Sequence, residues 1–399
     1  MLDWFFCSSA LAALAVVILA AWLRGRFYAI FVGVLLTIHT LVSSALAPSF
    51  GELLPLYAYF QLTVYAHFAF LTRPNMRPVW YRALVSLPAS FFAAGTMLAL
   101  PWAVFAAFGV RPYGFFIPYA VAAIGLVQSL VHRFEEVDVA LDDASAPALA
   151  RWSRGAAREQ GSRPLRIVQI TDPHLGPFMS EARLHDIAKR AVAADPDLVL
   201  LTGDFLTMES HEARTVLARA LAPLTSLPPG RVFACRGNHD LEAPDTVEGA
   251  LQDIGARLLI DESAVVDTPA GPVQILGIDF HFRDRAARTR AACESHPRIP
   301  GHLRLVLLHD PGAFKHLPDG EADLVLSGHT HGGQLGLLTF GLPHTFVSAF
   351  TDIPDHGLWA LGRNRLYVHR GTGHYGFPLR VGVPGEESLL RIHRPAATG

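Results

Sequence analysis

Aspartate, histidine and asparagine residues follow five successive strand-like segments in the second half of the sequence. A short β-branched or leucine-rich run precedes each group, and the polar residues come where that run ends. In open α/β sheets, ligands bind in the crevice outside the carboxyl ends of the strands. We therefore expect these side chains to converge on one site. The groups in chain order are Asp172-Pro173-His174, Gly203-Asp204, Gly237-Asn238-His239-Asp240, His309-Asp310 and Gly328-His329-Thr330-His331.

The donor types predict a site for two divalent metal ions. Imidazole nitrogens, carboxylates and an amide oxygen, without a thiolate, suit Mn, Fe or Zn. His329 and His331 are alternate residues, which point in opposite directions in an extended segment and could flank two ions. Asp204 stands in the middle of the series, so we expect its carboxylate to bridge two cations about 3.5–4 Å apart. A lone Asp-x-His or Gly-Asp pair is weak, whereas the ordered series is specific.

The ordered series resembles the motifs of the calcineurin-like metallophosphoesterases over about residues 165–394. The apolar segments ahead of it, together with Gly328–Gln334 and Arg370–Gly373, resemble the membrane-associated bacterial branch of that family. That branch resembles enzymes that act on phospholipids or on UDP-2,3-diacylglucosamine. The resemblance implies a four-layer α/β/β/α domain with two mixed sheets, and a hydrolase of phosphoric esters or anhydrides.

The resemblance also implies a role for each residue of the series. His239 would contact the phosphate or protonate the leaving oxygen, steered by Asp240. Two bound cations, with Mn expected first and Fe or Zn as alternatives, would activate water and offset charge on the phosphoryl oxygens. One metal would take Asp172, His174, Asp204 and His331, and the second would take Asp204, Asn238, His309 and His329.

The elements that must position these residues alternate between strand and helix over residues 165–399, which predicts layered α/β packing. Helices are expected over Arg183–Ala193, Ser210–Ala222 and Asp245–Ile254. Fewer helices separate the later strands, so two mixed sheets are expected. The predicted strands are Arg166–Ile170, Asp197–Leu201, Arg231–Cys235, Arg257–Ile260, Val273–Ile278, Leu303–Leu308, Asp323–Leu326, Leu366–Val368 and Leu389–Ile392.

The first third of the chain is expected to lie in a membrane. Residues 1–132 hold only eight of the 68 charged residues. A span needs about 20 apolar residues, and five stretches qualify, although four spans would also fit. Residues 1–132 are thus expected to form a transmembrane bundle, and 133–164 a linker without strand or helix periodicity. The five stretches are about 4–23, 27–47, 53–71, 83–109 and 113–131.

Arginines in the short loops predict the orientation. Arg24 and Arg26 lie in the first loop and Arg73, Arg77 and Arg82 in the third, whereas the second loop has no basic residue. Positive loops stay inside, so the C-terminal domain is expected on the cytoplasmic side of a bacterial inner membrane, where the bilayer is its partner. The part after residue 132 has 27 basic and 33 acidic residues, which argues against a nucleic-acid substrate.

Several residues outside the series have open roles. His374 and Arg380 lie in a glycine-rich stretch and could bind substrate, but a surface turn is an alternative. Asp279, His281 and Arg283 follow a strand end, where a structural or pocket-rim role is favoured over catalysis. The apolar stretch at 335–350 could be core, or a lip that takes up acyl chains beside the membrane.

Three functions compete at this point. The first is hydrolysis of a phosphodiester or pyrophosphate bond in a membrane lipid or lipid-linked nucleotide such as UDP-2,3-diacylglucosamine. The second is a membrane-tethered phosphatase or nucleotide phosphodiesterase that acts on a soluble substrate. The third is a metal-binding membrane scaffold without catalysis, which would need the ligands but not the proton donor expected at His239.

Overall fold

The computed structural model describes residues 4–142, 144–153 and 163–394, which form two compact units. The first unit contains the described part of Met1–Leu130 together with two short later segments, Met208–Ser210 and Tyr375–Val381. The second contains the described part of the remaining chain. The first unit is helical and the second is α/β.

The helices of the first unit are connected by short breaks. A 3₁₀ segment at Ala47–Leu53 separates α2 from α3, and Gly51 within it has a left-handed φ of 52°. His39 on α2 contacts Gln61 on α3 at 3.0 Å. Along one straight helix these residues would be roughly 33 Å apart, so the chain reverses between them. The helices are α1 Trp4–Leu23, α2 Arg26–Leu46, α3 Leu54–Phe70, α4 Val79–Tyr81, α5 Leu87–Leu98, α6 Leu100–Ala107 and α7 Ile117–Ser129.

These helices are long and apolar enough to indicate a membrane protein. By length and composition, Trp4–Leu23 and the stretch Arg26–Phe70, which the reversal at Ala47–Leu53 divides into α2 and α3, are apolar enough to cross a membrane. A third candidate results if the bent pair Val79–Leu98 and Leu100–Ala107 counts as one span. The bend of 59° in that pair lies beside Pro101, whose missing N–H interrupts helical hydrogen bonding. The fifth predicted span is helical only at Ile117–Ser129, 13 residues or about 20 Å. The count of five spans therefore stays a prediction.

The second unit contains the two mixed sheets that the sequence predicts. The first sheet has the order β1-β13-β3-β4-β5-β6, and the second has the order β2-β11-β12-β10-β9-β8-β7. Strands β3, β4 and β5 are mutually parallel, as are β8, β9, β10 and β12. The strands are β1 His132–Ala140, β2 Ala146–Arg151, β3 Leu165–Ile170, β4 Leu198–Leu201, β5 Val232–Ala234, β6 Arg257–Leu258, β7 Glu262–Thr268, β8 Gly271–Ile278, β9 Leu303–Leu308, β10 Leu324–Ser327, β11 Gly357–Gly362, β12 Asn364–Val368 and β13 Gly385–His393.

Side chains of the two sheets form one core between them. Leu198 and Leu200 of β4 share this cluster with Leu305 and Leu307 of β9. Val306, the intervening residue of β9, packs on the outer face. Successive side chains of a strand point to opposite faces. A strand with consecutive apolar residues therefore packs both against the other sheet and against the outer layer. Helices lie outside the sheets: α8 Glu181–Ala193, α9 Arg214–Leu221, α10 Pro244–Asp253, α11 Arg285–Ser295 and α12 Phe346–Phe350.

Two strands lie where the sequence predicts a linker at 133–164. Strand β1 pairs in parallel with β13 over nine residues, and β2 pairs with β11. The linker prediction is wrong for these residues, because both are edge strands with many exposed positions and so lack the apolar run of a central strand. Residues 154–162 of the predicted linker lie outside the described part of the chain.

Candidate metal centre

The five polar groups come together at the carboxyl ends of strands from both sheets. Asp172 and His174 follow β3, Asp204 follows β4, and Asn238 follows β5 in the first sheet. His309 follows β9, and His329 and His331 follow β10 in the second sheet. Nδ1 of His309 lies 2.6 Å from the carbonyl oxygen of Thr202. This hydrogen bond ties the loops of the two sheets together directly beneath the site.

One group of potential metal ligands consists of Asp172, His174 and His331, all buried. The Nε2 atoms of His174 and His331 are 3.2 Å apart. Oδ1 of Asp172 lies 3.4 Å from Nε2 of His331 and 3.9 Å from Nε2 of His174. The three donor atoms thus face a common centre at distances that a single divalent cation can span.

A second group consists of Asp204, His309 and His329. Nε2 of His309 lies 3.2 Å from Oδ2 of Asp204. The same Oδ2 atom lies 3.6 Å from Nε2 of His174, which belongs to the first group. One carboxylate oxygen therefore stands between the two groups, as the bridging role expected for Asp204 requires.

Backbone carbonyls orient three of the histidines for metal binding. Nδ1 of His174, His309 and His331 lies 3.1, 2.6 and 3.3 Å from the carbonyl oxygens of Leu206, Thr202 and Gly373. A carbonyl oxygen only accepts, so each Nδ1 donates and each neutral ring turns its Nε2 lone pair toward the centre. The Nε2 lone pairs of His174 and His331 then face each other, an arrangement that a cation between them would stabilise.

The side-chain oxygen of Asn238 also fits the metal site. Its Oδ1 is buried and accepts no hydrogen bond from any described residue. A buried polar atom without a partner is costly, and a divalent cation beside the second group would satisfy it. The described residues therefore fit two divalent ions, with seven potential ligands in the positions that the sequence predicts.

Burial and neighbouring charges shift the pKa values of the ionisable side chains in the site. Burial raises the pKa of Asp172 to about 6, with a further rise from the charge on Asp204. Burial lowers the pKa of His174 to about 3, which keeps this imidazole neutral. Burial opposes charge on His309, but Asp204 and Asp172 raise its pKa to about 10. Two cations would supply the positive charge that these buried carboxylates otherwise draw from His309.

Most of the potential ligands have a left-handed backbone conformation. Only nine described residues other than glycine have positive φ, and five of them are predicted ligands. Such conformations are uncommon and cluster at functional sites. The loops therefore turn sharply to aim these side chains inward. The five values are 50° for Asp172, 46° for His174, 57° for Asp204, 67° for His329 and 52° for His331.

Glu242 contacts His239, whereas Asp240 does not orient it. Nδ1 of His239 lies 2.9 Å from Oε1 of Glu242, three residues later on the same 3₁₀ turn. The carboxylate of Asp240 instead accepts backbone N–H bonds of 2.8 Å from Asp204, Phe205 and Gly237. The sequence-based role of Asp240 in steering His239 is therefore wrong. Its carboxylate holds the loop that carries Asp204.

The two residues predicted to bind substrate, His374 and Arg380, lie in different units. The ring of His374 packs on Phe178 with centroids 4.3 Å apart, and Gly373 beside it donates to the carbonyl oxygen of Asp172. Arg380 belongs to the helical unit, is buried, and donates its backbone N–H to Oγ of Ser129. His374 thus follows a segment that touches the metal centre, whereas Arg380 lies in the helical unit. Their roles in substrate binding stay predictions.

Two of the residues after β8 have structural partners. Arg236 binds both carboxylate oxygens of Asp279, at 2.9 and 2.6 Å. Nε2 of His281 lies 3.4 Å from a carboxylate oxygen of Asp261. The ion pair of Asp279 favours the structural interpretation, and the roles of these residues stay predictions. Arg236 was not singled out in the sequence, although its position beside the Gly237-Asn238 turn was a signal.

Comparisons with known proteins agree with the site. Residues 165–333 match the model of the family described as calcineurin-like phosphoesterase. The chain is 31% identical over 239 residues to the uncharacterized metallophosphoesterase YkoQ of Bacillus subtilis, covering 58% of this chain and 84% of that protein. It is 29% identical over 244 residues to phosphodiesterase YaeI of Escherichia coli, covering 59% and 84%.

A third relative has a named lipid substrate. The chain is 27% identical over 279 residues to UDP-2,3-diacylglucosamine pyrophosphatase LpxG of Chlamydia muridarum, covering 57% of this chain and 83% of that protein. The family match at residues 165–333 contains all five polar groups, from which the fold assembles the two ligand groups. The chain belongs to the calcineurin-like phosphoesterase family and is a metal-dependent phosphoester hydrolase.

Proposed function

We propose that the chain cleaves a phosphodiester or pyrophosphate bond of a membrane lipid or lipid-linked nucleotide, with two divalent ions bound. The position of Asp204 Oδ2, 3.2 Å from His309 and 3.6 Å from His174, carries the two-metal part of this proposal. Asp172, His174, Asp204 and His331 would hold one ion. Asp204, Asn238, His309 and His329 would hold the other.

The residues around the ions would act on the phosphate. Two bound cations would supply an activated water nucleophile and would neutralise phosphoryl charge. His239 lies at the edge of the site, with its ring centroid 5.4 Å from that of His174. Its side chain is 26% exposed, so it can reach a bound phosphate ester and donate a proton to the leaving oxygen. Glu242 would hold the ring through its 2.9 Å contact with Nδ1.

Apolar helices and a lipid-hydrolysing relative support a lipid substrate. The chain has two to three helical segments able to cross a membrane, and LpxG acts on UDP-2,3-diacylglucosamine. A protein held in the bilayer meets lipid substrates at high local concentration. We extend the proposal to a multi-pass protein of the bacterial inner membrane with its catalytic unit in the cytoplasm. A reporter enzyme at the C-terminus that is active only on the outer face would contradict this orientation.

Metal depletion tests the proposed chemistry. The solubilised protein should lose activity with a chelator and regain it with Mn, or with Fe or Zn, when screened against UDP-diacylglucosamine, phospholipids and cyclic nucleotides. His239→Ala should keep the metal content and lose turnover by about 10²–10⁴-fold, the usual contribution of general acid catalysis. His302→Ala, which removes a histidine bonded to the neighbouring Pro300 carbonyl, is the matched control.

The outcomes separate the three competing functions. Activity restored only on cyclic nucleotides or other soluble esters would favour the tethered phosphodiesterase. Metal binding without activity on any substrate would favour the scaffold and contradict the proposal. Full activity of His239→Ala would refute the role of this histidine as proton donor. It would not contradict the binding of two ions.

A further inference from the structure

The apolar stretch after the metal-ligating histidines is exposed, so its interpretation as core is wrong. Six large apolar side chains between Leu337 and Ile353 are 39–76% exposed. They are six of the eleven exposed large apolar side chains among the described residues of the second unit. We call these six the apolar loop: Leu337, Phe340, Leu342, Phe346, Phe350 and Ile353.

The segment that carries five of these six side chains also lacks formal charge, and Asp352 precedes the sixth, Ile353. From Leu324 to Thr351 the sequence contains no Asp, Glu, Lys or Arg, although charged residues make up 17% of the whole chain. Transfer of a charged side chain into a bilayer is expensive, and this segment would transfer none. A contact with an ordinary protein surface would not require such a long uncharged run.

Several backbone groups of the loop are hydrogen-bonded within it. Leu337 donates to His344 at 2.9 Å, Phe346 donates to Leu335 at 2.8 Å, and Gly341 donates to Leu338 at 3.0 Å. Thr345 and Ser348 form a capping box at the start of α12. Backbone polar groups that enter lipid must be paired within the protein, because lipid offers no hydrogen-bond partner. The loop backbone is thus partly paired within the protein, which lowers the cost of contact with hydrocarbon, while its six large apolar side chains are exposed.

We propose that the apolar loop is a second membrane contact, which inserts its phenylalanines into the bilayer that the N-terminal helices enter. A Cβ atom added to Gly333, two residues after His331, would lie 3.1 Å from the backbone nitrogen of Val347, so the loop passes close to this ligand and to the acyl chains of a lipid bound at the metal centre. Only the predicted effect of the apolar loop on activity rests on the proposed lipid substrate. The membrane contact itself is measured without turnover.

Fluorescence quenching tests the contact in the full-length protein. Phe350→Cys and Val265→Cys would each carry an environment-sensitive fluorophore, in a Cys7→Ala background where Cys235 and Cys293 are buried. Val265 is a matched control, because it is 52% exposed on β7, outside the apolar loop. In vesicles of phosphatidylethanolamine and phosphatidylglycerol, a nitroxide on the lipid chains should quench the label at 350, and iodide should quench the label at 265.

Two results would overturn the proposal. Equal quenching of both labels by iodide would mean that the loop faces water. Protection of the label at 350 from both quenchers would mean that protein covers it, from a second copy or another partner. Neither result depends on whether the chain hydrolyses a lipid, so failure of this inference is distinguishable from failure of the proposed function.

Activity of a double variant gives an independent measurement. Phe346→Ser with Phe350→Ser should lower hydrolysis of a lipid phosphoester in vesicles by roughly 10-fold or more, because burial of each phenylalanine is lost. Hydrolysis of a small chromogenic phosphodiester should stay within about twofold, as it should on both substrates for Val265→Ser. Equal loss on both substrates by the double variant would contradict a lipid contact.

Discussion

Glycines bring the backbone of one loop against the carboxylate of another at the metal centre. A Cβ atom added to Gly328 would lie 2.1 Å from Oδ2 of Asp172. One added to Gly237 would lie 2.2 Å from Oδ1 of Asp204. A side chain at either position would collide with the carboxylate of a potential ligand. The positions of Asp172 and Asp204 therefore depend on glycine at 328 and 237.

Gly328→Ala should therefore disrupt metal binding. The new methyl group must displace Asp172, and a misplacement of about 1 Å at a catalytic site can reduce the rate about 10²-fold. We expect loss of bound metal, measured by elemental analysis, together with loss of activity. Gly33→Ala is the control, since its backbone is helical and a Cβ there meets no atom closer than 3.6 Å. Normal metal content in Gly328→Ala would show that the site adapts to the methyl group.

Substitution of Glu242 should affect catalysis, whereas substitution of Asp240 should affect stability and metal binding. Glu242→Ala removes the partner of His239 Nδ1 and should lower kcat by about 10-fold with metal content unchanged, since one hydrogen bond to a charged group contributes about 1.5 kcal/mol. Asp240→Ala removes the acceptor of three backbone N–H groups and should lower both Tm and metal content. Equal metal loss in the two variants would contradict these separate roles.

The ligand set was predictable from the sequence, but the partners of His239 were not. All seven potential ligands have metal-binding side chains and follow recognisable strands, so their type and order suffice. Asp240 and Glu242 both lie next to His239 in sequence, and only the 3₁₀ turn decides which of them reaches the ring. Asp240 binds backbone N–H groups, which have no signature in residue type.

Strand β1 is held to β13 and to α8 by an ionic cluster. Oε1 of Glu387 lies 3.1 Å from Nδ1 of His132 and 2.7 Å from a guanidinium nitrogen of Arg190. Burial alone would raise the pKa of Glu387. The hydrogen bonds and charges of His132 and Arg190 outweigh burial, so the pKa falls from an ordinary value of 4.5 to about 2. A folded-state pKa below the unfolded value means that the stabilising effect is complete above about pH 4.5 and is lost as the pH falls toward 2.

Glu387→Gln should accordingly remove part of the acid sensitivity of the fold. At pH 7 the variant should have a lower Tm than the parent, and the difference should shrink as the pH falls from 4.5 toward 2. Glu262→Gln, at an exposed position of β7, is the control. A constant Tm difference across this pH range would mean that the carboxylate charge contributes nothing to stability.

The central strands were readable from the sequence, whereas three of the four edge strands were not. Apolar runs identify β3, β4, β8, β9 and β10, because a strand covered on both faces has no polar positions. Strands β1, β2 and β7 are partly exposed and alternate irregularly. Their place in the sheets depends on partners up to 255 residues away in sequence, which local patterns do not reveal.

The extent of the catalytic unit follows from these edge strands. The family match begins at residue 165, yet β1 and β2 complete one edge of each sheet from residues before it. A fragment that starts at residue 131 should be more soluble than one that starts at 165, because the shorter one leaves β13 and β11 as unprotected edges. Light scattering and gel filtration measure the difference. Equal monomer yield from both fragments would show that β1 and β2 are dispensable.

The place of β13 has a consequence for the order of events during synthesis. Strand β13 lies between β1 and β3, so the sheet that supports Asp172 stays open until β13 has left the ribosome. At about 5–20 residues per second, the interval between β3 and β13 lasts roughly 10–45 s. The N-terminal helices are translated long before then. A nascent chain would therefore already be attached to the membrane when its catalytic centre closes, and an incomplete chain would reach the membrane without a finished active site.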